Sequence, residues 1–158
     1  MKKFSIEIKW GIIFSIVALL WMFLEKGLGW HDENISKHAI YTNLFAIVAI
    51  VLYVFALLDK RKNFYEGKMT WTQGFISGII ISVVVAIFSP LAQYITHEFI
   101  TPDYFPNVID YSVESGAMTR EAAEGYFNLQ SYILQSFFFS LVVGVVTSAI
   151  VALFVRKK

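Results

Sequence analysis

The sequence predicts an all-α membrane protein with four transmembrane helices that form two antiparallel hairpins. Hydrophobic side chains make up 57% of the 158 residues and charged side chains only 16%, whereas about 25% of a typical soluble domain is charged. The apolar residues also gather in four long blocks. A chain this short has no polar surface left to cover four such blocks. We therefore expect a single integral membrane domain over residues 1–158.

Each block reaches the length of a spanning helix, about 20 residues, once its flanks are added. The predicted spans are 6–28, 39–58, 71–97 and 131–155. Lys2 and Lys3 before the first block are typical of a signal peptide. However, the block ends in Trp21 to Glu25 without the small residues of a cleavage site. We therefore expect this segment to be a retained first helix.

The basic residues predict the orientation of the four helices. Ten of the thirteen Lys and Arg residues lie at the chain ends or between the second and third spans, and only Lys26, Lys37 and Arg120 lie on the other side. Lys and Arg accumulate on the cytoplasmic side of membranes. The sequence thus predicts a multi-pass membrane protein with both its N- and C-termini in the cytoplasm.

The connection between the third and fourth spans, residues 98–130, is predicted to be a short extra-membrane helical hairpin. It carries six acidic residues and one arginine, which leaves a net charge of −5. Pro106 is suited to the first position of a helix that ends before Gly116. Thr119 can cap the next helix, which we expect to continue unbroken to Val155.

Two stripes of small residues predict that the third and fourth helices pack closely. Small residues recur at every fourth position in both helices, which allows the two backbones to approach each other. The alternative is chance, because Gly and Ser are common in membrane helices. Thr70 and Gln73 match a capping box at the start of the third helix, and Pro90 should bend it. The stripes are Gly74, Gly78, Ser82, Ala86 and Pro90 in the third helix, and Ser136, Ser140, Gly144, Ser148 and Ala152 in the fourth.

Polar residues near the non-cytoplasmic helix ends form a candidate ligand-binding site. At this depth a polar side chain requires a partner or a water-filled pocket, because burying it alone is costly. Gln93 and His97 share a helix face, and Gln135 should face them from the fourth helix. The alternatives are a hydrogen-bonded clamp between helices and residues that lie in the headgroup layer. The candidate residues are Glu25, Asn43, Gln93, His97 and Gln135.

The sequence favours neither a metal site nor an enzyme. Its three histidines have acidic neighbours, but no pair of them has the one-turn spacing of a helical zinc motif. The absence of cysteine excludes disulfides, Cys-ligated metals and thiol catalysis. We therefore predict no catalytic residues, no metal and no cofactor. The histidines are His31, His38 and His97, and their neighbours are Asp32, Glu33 and Glu98.

Three segments carry a family resemblance: HAIYTN at 38–43, GKMTWTQGFISG at 67–78 and SPLAQYITHEFITPDYFPN at 89–107. With weaker matches from about Glu7 to Lys158, the chain resembles the bacterial family catalogued as domain of unknown function 4199. That family is described as small, predominantly four-helix membrane proteins without an assigned activity. The resemblance implies the four-span topology and no catalytic residues.

We expect a small non-enzymatic inner-membrane protein of unassigned activity that acts through a partner protein or as an oligomer. Its expected partners are the lipid bilayer and either a second copy or a membrane partner protein, with no nucleic acid. The alternative is a small transporter or channel with a polar vestibule at the non-cytoplasmic side, and an enzyme acting on lipid comes third. A polar path that continues past Asn43 and Gln135 favours transport, whereas a dry interior favours a scaffold.

Overall fold

The computed structural model describes residues 3–157, which form seven α-helices. Lys2 and Lys158, which belong to the predicted cytoplasmic charge, lie outside this range. A 3-10 turn at Thr42–Leu44 joins α2 to α3, and a π-helical turn at Thr96–Ile100 extends α4. The helices are α1 (Ser5–Gly27), α2 (Ile35–Tyr41), α3 (Phe45–Asn63), α4 (Trp71–Ile95), α5 (Tyr104–Glu114), α6 (Arg120–Tyr126) and α7 (Leu129–Val155).

Four helical segments are long and apolar enough to cross a membrane, which suggests a multi-pass membrane protein. They are Ser5–Gly27, Ile35–Asn63, Trp71–Ile100 and Leu129–Val155. Large apolar side chains are exposed on all four segments, which a soluble protein of this size would not tolerate over so wide an area. The most exposed include Leu20 at 60%, Ile47 at 63%, Ile87 at 64%, Phe139 at 68% and Phe154 at 82%.

The core of the bundle is the contact between α4 and α7, which lie against each other along their small-residue stripes. The α-carbon of Gly74 faces Ala152, and that of Gly78 faces Ser148 so closely that a side chain at 78 would collide with it. Gly144 is similarly confined by Ser82 and by the Tyr53 hydroxyl of α3. Along this contact, residue numbers increase on α4, from 74 to 82, while those of their partners on α7 decrease, from 152 to 144. The two helices therefore run in opposite directions.

Hydroxyl groups inside this contact are satisfied locally, as burial of polar groups requires. Ser82 Oγ donates to the Gly78 carbonyl at 2.9 Å, and Ser148 Oγ donates to the Gly144 carbonyl at 2.5 Å. Tyr53 Oη lies 2.8 Å from Ser82 Oγ, which attaches α3 to the pair. Of the other stripe residues, Ala86 is buried, whereas Ser140 is half-buried and donates to Phe137.

Both described chain termini lie at one end of the bundle, which we call the terminal end. A buried ion pair holds it together: Lys60 Nζ lies 2.9 Å from Glu7 Oε1, and Ser77 Oγ donates to the same carboxylate at 2.7 Å. Glu7 and Lys60 are both almost completely buried. A two-residue backbone bridge between Met69 and Lys157 joins the start of α4 to the end of α7.

The predicted helix caps are present. Thr70 and Gln73 form the capping box at the start of α4, and the Thr119 hydroxyl accepts from the Ala122 amide. The helix that starts after Thr119 is not continuous to Val155, however, and that prediction is wrong. Asn128 has extended backbone angles and its side chain accepts from the Ser131 amide. This N-cap ends the short α6 and starts α7 afresh.

The short helix of the connection also starts earlier than predicted. It begins at Tyr104, so that Pro106 is the third residue of α5 rather than the first. A proline is still tolerated there, because the first-turn amides of a helix have no partner within the helix. The shift matters because it places Tyr104 inside the helix, with its ring against the bundle.

The close contact of α4 and α7 predicts that even one methyl group at its centre destabilises the bundle. Gly78→Ala and Gly144→Ala should each lower the free energy of unfolding in detergent by about 1–3 kcal/mol, as overpacking does elsewhere. Gly125→Ala in α6 is the matched control, since nothing lies within 4 Å of the added methyl. It should be neutral or slightly stabilising. Equal stability of all three variants would contradict the contact.

Candidate functional site

The most unusual polar group in the structure is the carboxylate of Glu25 in the last turn of α1. Its side chain is completely buried. Trp21, one turn earlier, donates its indole N–H to Oε1 at 2.5 Å. The other oxygen, Oε2, faces two imidazoles: His31 Nε2 at 2.9 Å and His38 Nδ1 at 3.4 Å. We call Glu25, His31 and His38 the His–Glu cluster, and this end of the bundle the capped end.

A sharp turn after α1 brings the two histidines back to Glu25. The chain reverses at Gly29, whose φ of +72° is the left-handed conformation that favours glycine. The Trp30 amide donates to the Glu25 carbonyl at 3.0 Å, and the Asn34 amide donates to the Gly29 carbonyl at 2.7 Å. His31 lies within this turn. His38 follows one turn into α2, so that α2 delivers the second imidazole.

Tyr104, the first residue of α5, covers the cluster. The centroid of its ring lies 5.2 Å from that of His31 and 5.3 Å from that of His38. Its hydroxyl points away from the cluster, where it lies 3.1 Å from the Tyr132 hydroxyl. Asn107, one turn further along α5, donates to the His31 carbonyl at 3.1 Å. These contacts fix α5 over the end of the bundle.

His97 also contacts Tyr104, from the π-helical turn that extends α4. Its ring centroid is 5.3 Å from that of Tyr104 and is stacked on Phe105 at 4.2 Å. Its Nε2 lies 3.1 Å from Gln93 Oε1, one turn earlier. The Nδ1 atoms of His31 and His97 are buried and have no hydrogen-bond partner among the described residues.

Burial determines the chemistry of this end. A buried carboxylate is costly unless donors or a cation surround it. Glu25 is hydrogen-bonded by Trp21 and His31, and the Thr42 hydroxyl also bonds to it, while His38 Nδ1 lies 3.4 Å from Oε2. Burial also raises the pKa of the Tyr104 phenol above its usual value, and the adjacent Tyr132 raises it further. The phenol of Tyr104 therefore stays protonated and uncharged at ordinary pH, and it packs over the cluster without acting as an acid or a base.

The structure brings together only some of the residues that the sequence singled out as a ligand site. Glu25, Gln93 and His97 all lie at the capped end. Asn43 is exposed and donates to the Ala39 carbonyl of its own helix at 2.8 Å. Gln135 is also exposed, so its exposure gives no support to the expectation that it faces Gln93 and His97.

Sequence reasoning missed the grouping of Glu25 with His31 and His38. It tested the histidines for one-turn spacing and considered Asp32, Glu33 and Glu98 as their acidic neighbours, all of which are exposed. The available signal was a glycine turn between a helix-terminal glutamate and two histidines within fourteen residues. The ligand atoms of these three side chains lie within 4.8 Å of one another. Within residues 3–157, this group has the ligand types and spacing that could hold a metal ion.

An open depression of about 250 Å³ lies beside the cluster, between α2 and α5. Three carboxylates border it, and Asn107, which bonds to the His31 backbone, forms part of its wall. The depression therefore places an acidic, solvent-exposed surface next to the turn that carries His31. Its lining residues are Asp32, Ile35, Asn107, Asp110, Tyr111 and Glu114.

Comparison with known proteins identifies a family but no characterised relative. The family model described as "Protein of unknown function (DUF4199)" matches residues 9–157. No curated protein and no solved structure matches the chain. The family match confirms the resemblance seen in the sequence and covers every residue of the capped end.

The raised pKa of Tyr104 predicts a specific loss of stability in alkali. Above about pH 10, the ordinary pKa of tyrosine, the unfolded chain releases a proton that folded Tyr104 retains, so stability falls as pH rises. Tyr104→Phe should cost about 0.5–1.5 kcal/mol near neutrality, through the lost Tyr132 bond. It should then lose less stability than the parent in alkali.

Unfolding in detergent, followed between about pH 8 and pH 11, measures this difference. Tyr111→Phe is the matched control, because Tyr111 is an exposed tyrosine of the same helix. Its stability should change with pH as the parent's does. A constant gap between parent and Tyr104→Phe across the range would show that Tyr104 ionises as easily in the folded chain as in the unfolded one.

Proposed function

We propose a function for this chain, which belongs to the family described as protein of unknown function DUF4199. It is a non-enzymatic, multi-pass protein of the bacterial inner membrane. It acts through a partner protein or through a second copy of itself. The observation that carries this proposal is the α5–α6 segment. It is fixed on the bundle by one face and presents a charged face to solvent.

The proposed arrangement in the membrane is two antiparallel helix pairs with both termini in the cytoplasm. The exposed apolar side chains of the four long helices support insertion, since lipid is the solvent that they suit. The terminal end collects the basic connections and the capped end the acidic residues, which is the asymmetry that orients membrane proteins. Buried Lys60 is neutralised by Glu7 and Lys9 pairs with Asp59. The exposed Lys62, Lys68 and Arg156 of this end are available to anionic headgroups.

The partner surface is the solvent-facing side of α5 and α6. Tyr104, Val108 and Ser112 of α5 and Ala123 of α6 are buried, so this segment is held firmly. Its other side is rich in exposed carboxylates, and only Arg120 lies among them, paired with Asp110 at 2.9 Å. A rigid acidic surface favours a partner with complementary basic residues. The exposed acids are Asp110, Glu114, Glu121 and Glu124.

Access to the His–Glu cluster supports binding rather than catalysis. Glu25 is fully buried, and only 3% of His31 is exposed. An organic substrate therefore cannot reach the polar atoms without displacing α5, whereas an ion or a proton can. This enclosure supports a structural or ion-binding role for the cluster over turnover on a large molecule.

Transport is the second proposal, and the interior supports it less. Asn43 and Gln135, which a polar path would have to pass, are both exposed on the outside of the bundle. On α4, the buried positions between Ser82 and Thr96 are the apolar Val85 and Ala86. These two residues separate the Tyr53–Ser82 hydroxyl pair from the capped end.

The proposed orientation predicts opposite labelling of two engineered cysteines in this cysteine-free chain. Asn63→Cys at the terminal end and Ser115→Cys after α5 are both at exposed positions. An impermeant thiol reagent added to intact cells with a permeabilised outer membrane should modify Ser115→Cys, and Asn63→Cys only after lysis. Labelling of Asn63→Cys in intact cells would invert the topology.

The partner surface predicts position-specific cross-linking. A photoreactive benzoylphenylalanine at Glu114 or Glu121 should yield one discrete adduct in cells, because both side chains face the proposed partner. The matched control is the same residue at Phe139, an exposed apolar position on α7, which should react with lipid only. Asp110→Lys should weaken the adduct by reversing a charge of the surface.

The adduct identifies the class of partner. A product of twice the mass of the chain indicates a second copy, and any other discrete mass indicates a different protein. An adduct from Phe139 together with none from Glu114 and Glu121 would place the interface within the membrane and exclude the α5–α6 surface.

A further inference from the structure

We propose that Glu25, His31 and His38 bind a divalent first-row transition metal ion, such as zinc, at the capped end. The sequence predicted no metal here. The proposal goes beyond the partner surface and does not depend on it. Two imidazole nitrogens and one carboxylate oxygen form a ligand set that divalent zinc and its neighbours accept in proteins.

The distances between the ligand atoms suit a shared ion. Ligand atoms of a tetrahedral site are about 3.3 Å apart when metal–ligand bonds are about 2.0–2.1 Å long. Glu25 Oε2 lies 2.9 Å from His31 Nε2 and 3.4 Å from His38 Nδ1, and all three ligand atoms lie within 4.8 Å of one another. Small side-chain rotations are sufficient to place one ion between them.

The nitrogen of His38 gives an independent reason for a cation. Its Nδ1 is buried and faces the carboxylate at 3.4 Å, yet it makes no hydrogen bond. A nitrogen lone pair and a carboxylate oxygen repel each other unless a proton or a cation lies between them. No Lys or Arg of the described chain forms an ion pair with Glu25, whose ion-pair partners there are the two histidines. A metal ion satisfies both nitrogens and the carboxylate together.

The atoms behind Glu25 hold it as a ligand. Metal-bound carboxylates are usually fixed by hydrogen bonds to their other oxygen. Trp21 Nε1 bonds to Oε1, and Thr42 also bonds to this carboxylate, which leaves Oε2 directed at the imidazoles. Tyr104 packs against both histidine rings. Three protein ligands leave one position of a four-coordinate ion for water.

Solvent meets the cluster on the side of His38. Its side chain is 19% exposed, whereas Glu25 and His31 are sealed. The acidic depression formed by Asp32, Asp110 and Glu114 opens beside the cluster. Such a surface raises the local concentration of cations. A cation is therefore attracted to the side of the cluster on which His38 meets solvent.

Zinc binding by the full-length purified chain tests the proposal. The chain is prepared without a polyhistidine tag, stripped with a chelator and dialysed against zinc chloride in detergent. We expect one zinc per chain by elemental mass spectrometry. Zinc should also raise the thermal midpoint, because it binds the folded chain. The absence of zinc above a detergent blank overturns the proposal and leaves a hydrogen-bonded clamp.

Matched variants locate the ion. Glu25→Gln and His38→Gln keep the approximate size of each side chain and should weaken zinc binding at least about tenfold, since even outer-shell changes have effects of that order. His97→Gln is the control, because His97 is buried behind Tyr104 and is not in the ligand set. Zinc binding unchanged in Glu25→Gln, or lost equally in His97→Gln, overturns the assignment.

Two measurements on the parent chain decide the matter if the ligand variants fail to fold. Cobalt in the site should show the strong visible absorption of four- or five-coordinate cobalt, whereas adventitious six-coordinate cobalt absorbs weakly. Zinc should also protect His38, the partly exposed ligand, from modification by diethyl pyrocarbonate, as read by peptide mass spectrometry. Weak cobalt absorption, or modification of His38 that zinc does not slow, overturns the proposal.

Discussion

The close approach of α4 and α7 is the constraint on which the rest of the structure depends. In the proposed membrane setting, apolar side chains gain little from leaving lipid, so helices associate through backbone proximity and van der Waals contact. Gly78 and Gly144 provide that proximity because neither has a side chain that would separate the helices. Tyr53 then bonds across the contact to Ser82. The third long helix is thus attached to a pair that is already close.

The position of α1 follows from the same pair. Gly11 lies against Val84 of α4, where a methyl group would collide, and the Glu7–Ser77 bond fixes the register of the two helices at the terminal end. With its start held in this way, α1 reaches the capped end beside the turn of α4 that contains His97. The His–Glu cluster is therefore positioned by packing that lies far from it along the helices.

The buried carboxylates at the two ends of the bundle have different partners. Glu7 has a fixed cation, because Lys60 lies 2.9 Å away and is itself buried. Glu25 has two histidines, whose charge depends on protons or on a bound ion. The first arrangement is complete within the chain. The second arrangement can exist with or without a bound ion. It lies under α5, which bears the proposed partner surface. A bound ion at the cluster would thus stabilise the surface that a partner meets.

A large part of the fold was predictable because it follows from local pattern. Four apolar blocks predict four long helices, and the structure has four helical segments that are long and apolar enough to cross a membrane. The capping box at Thr70 and the cap at Thr119 depend on residues three positions apart, so sequence alone reveals them. The break at Asn128 is equally local, because its side chain accepts from the Ser131 amide three residues on, but the sequence analysis did not predict this N-cap.

Sequence by itself determined the helix number, the charge asymmetry and the presence of small residues on α4 and α7. Tertiary structure alone decided which polar side chains meet. Gln135 and Asn43 have the same polar character as Gln93, yet they are exposed, because a helix's rotation is set by all of its neighbours at once. Glu25 meets His31 and His38 because a turn at Gly29 reverses the chain and Tyr104 covers it. Such a meeting depends on three-dimensional distance between separate elements, which residue spacing along one helix does not encode.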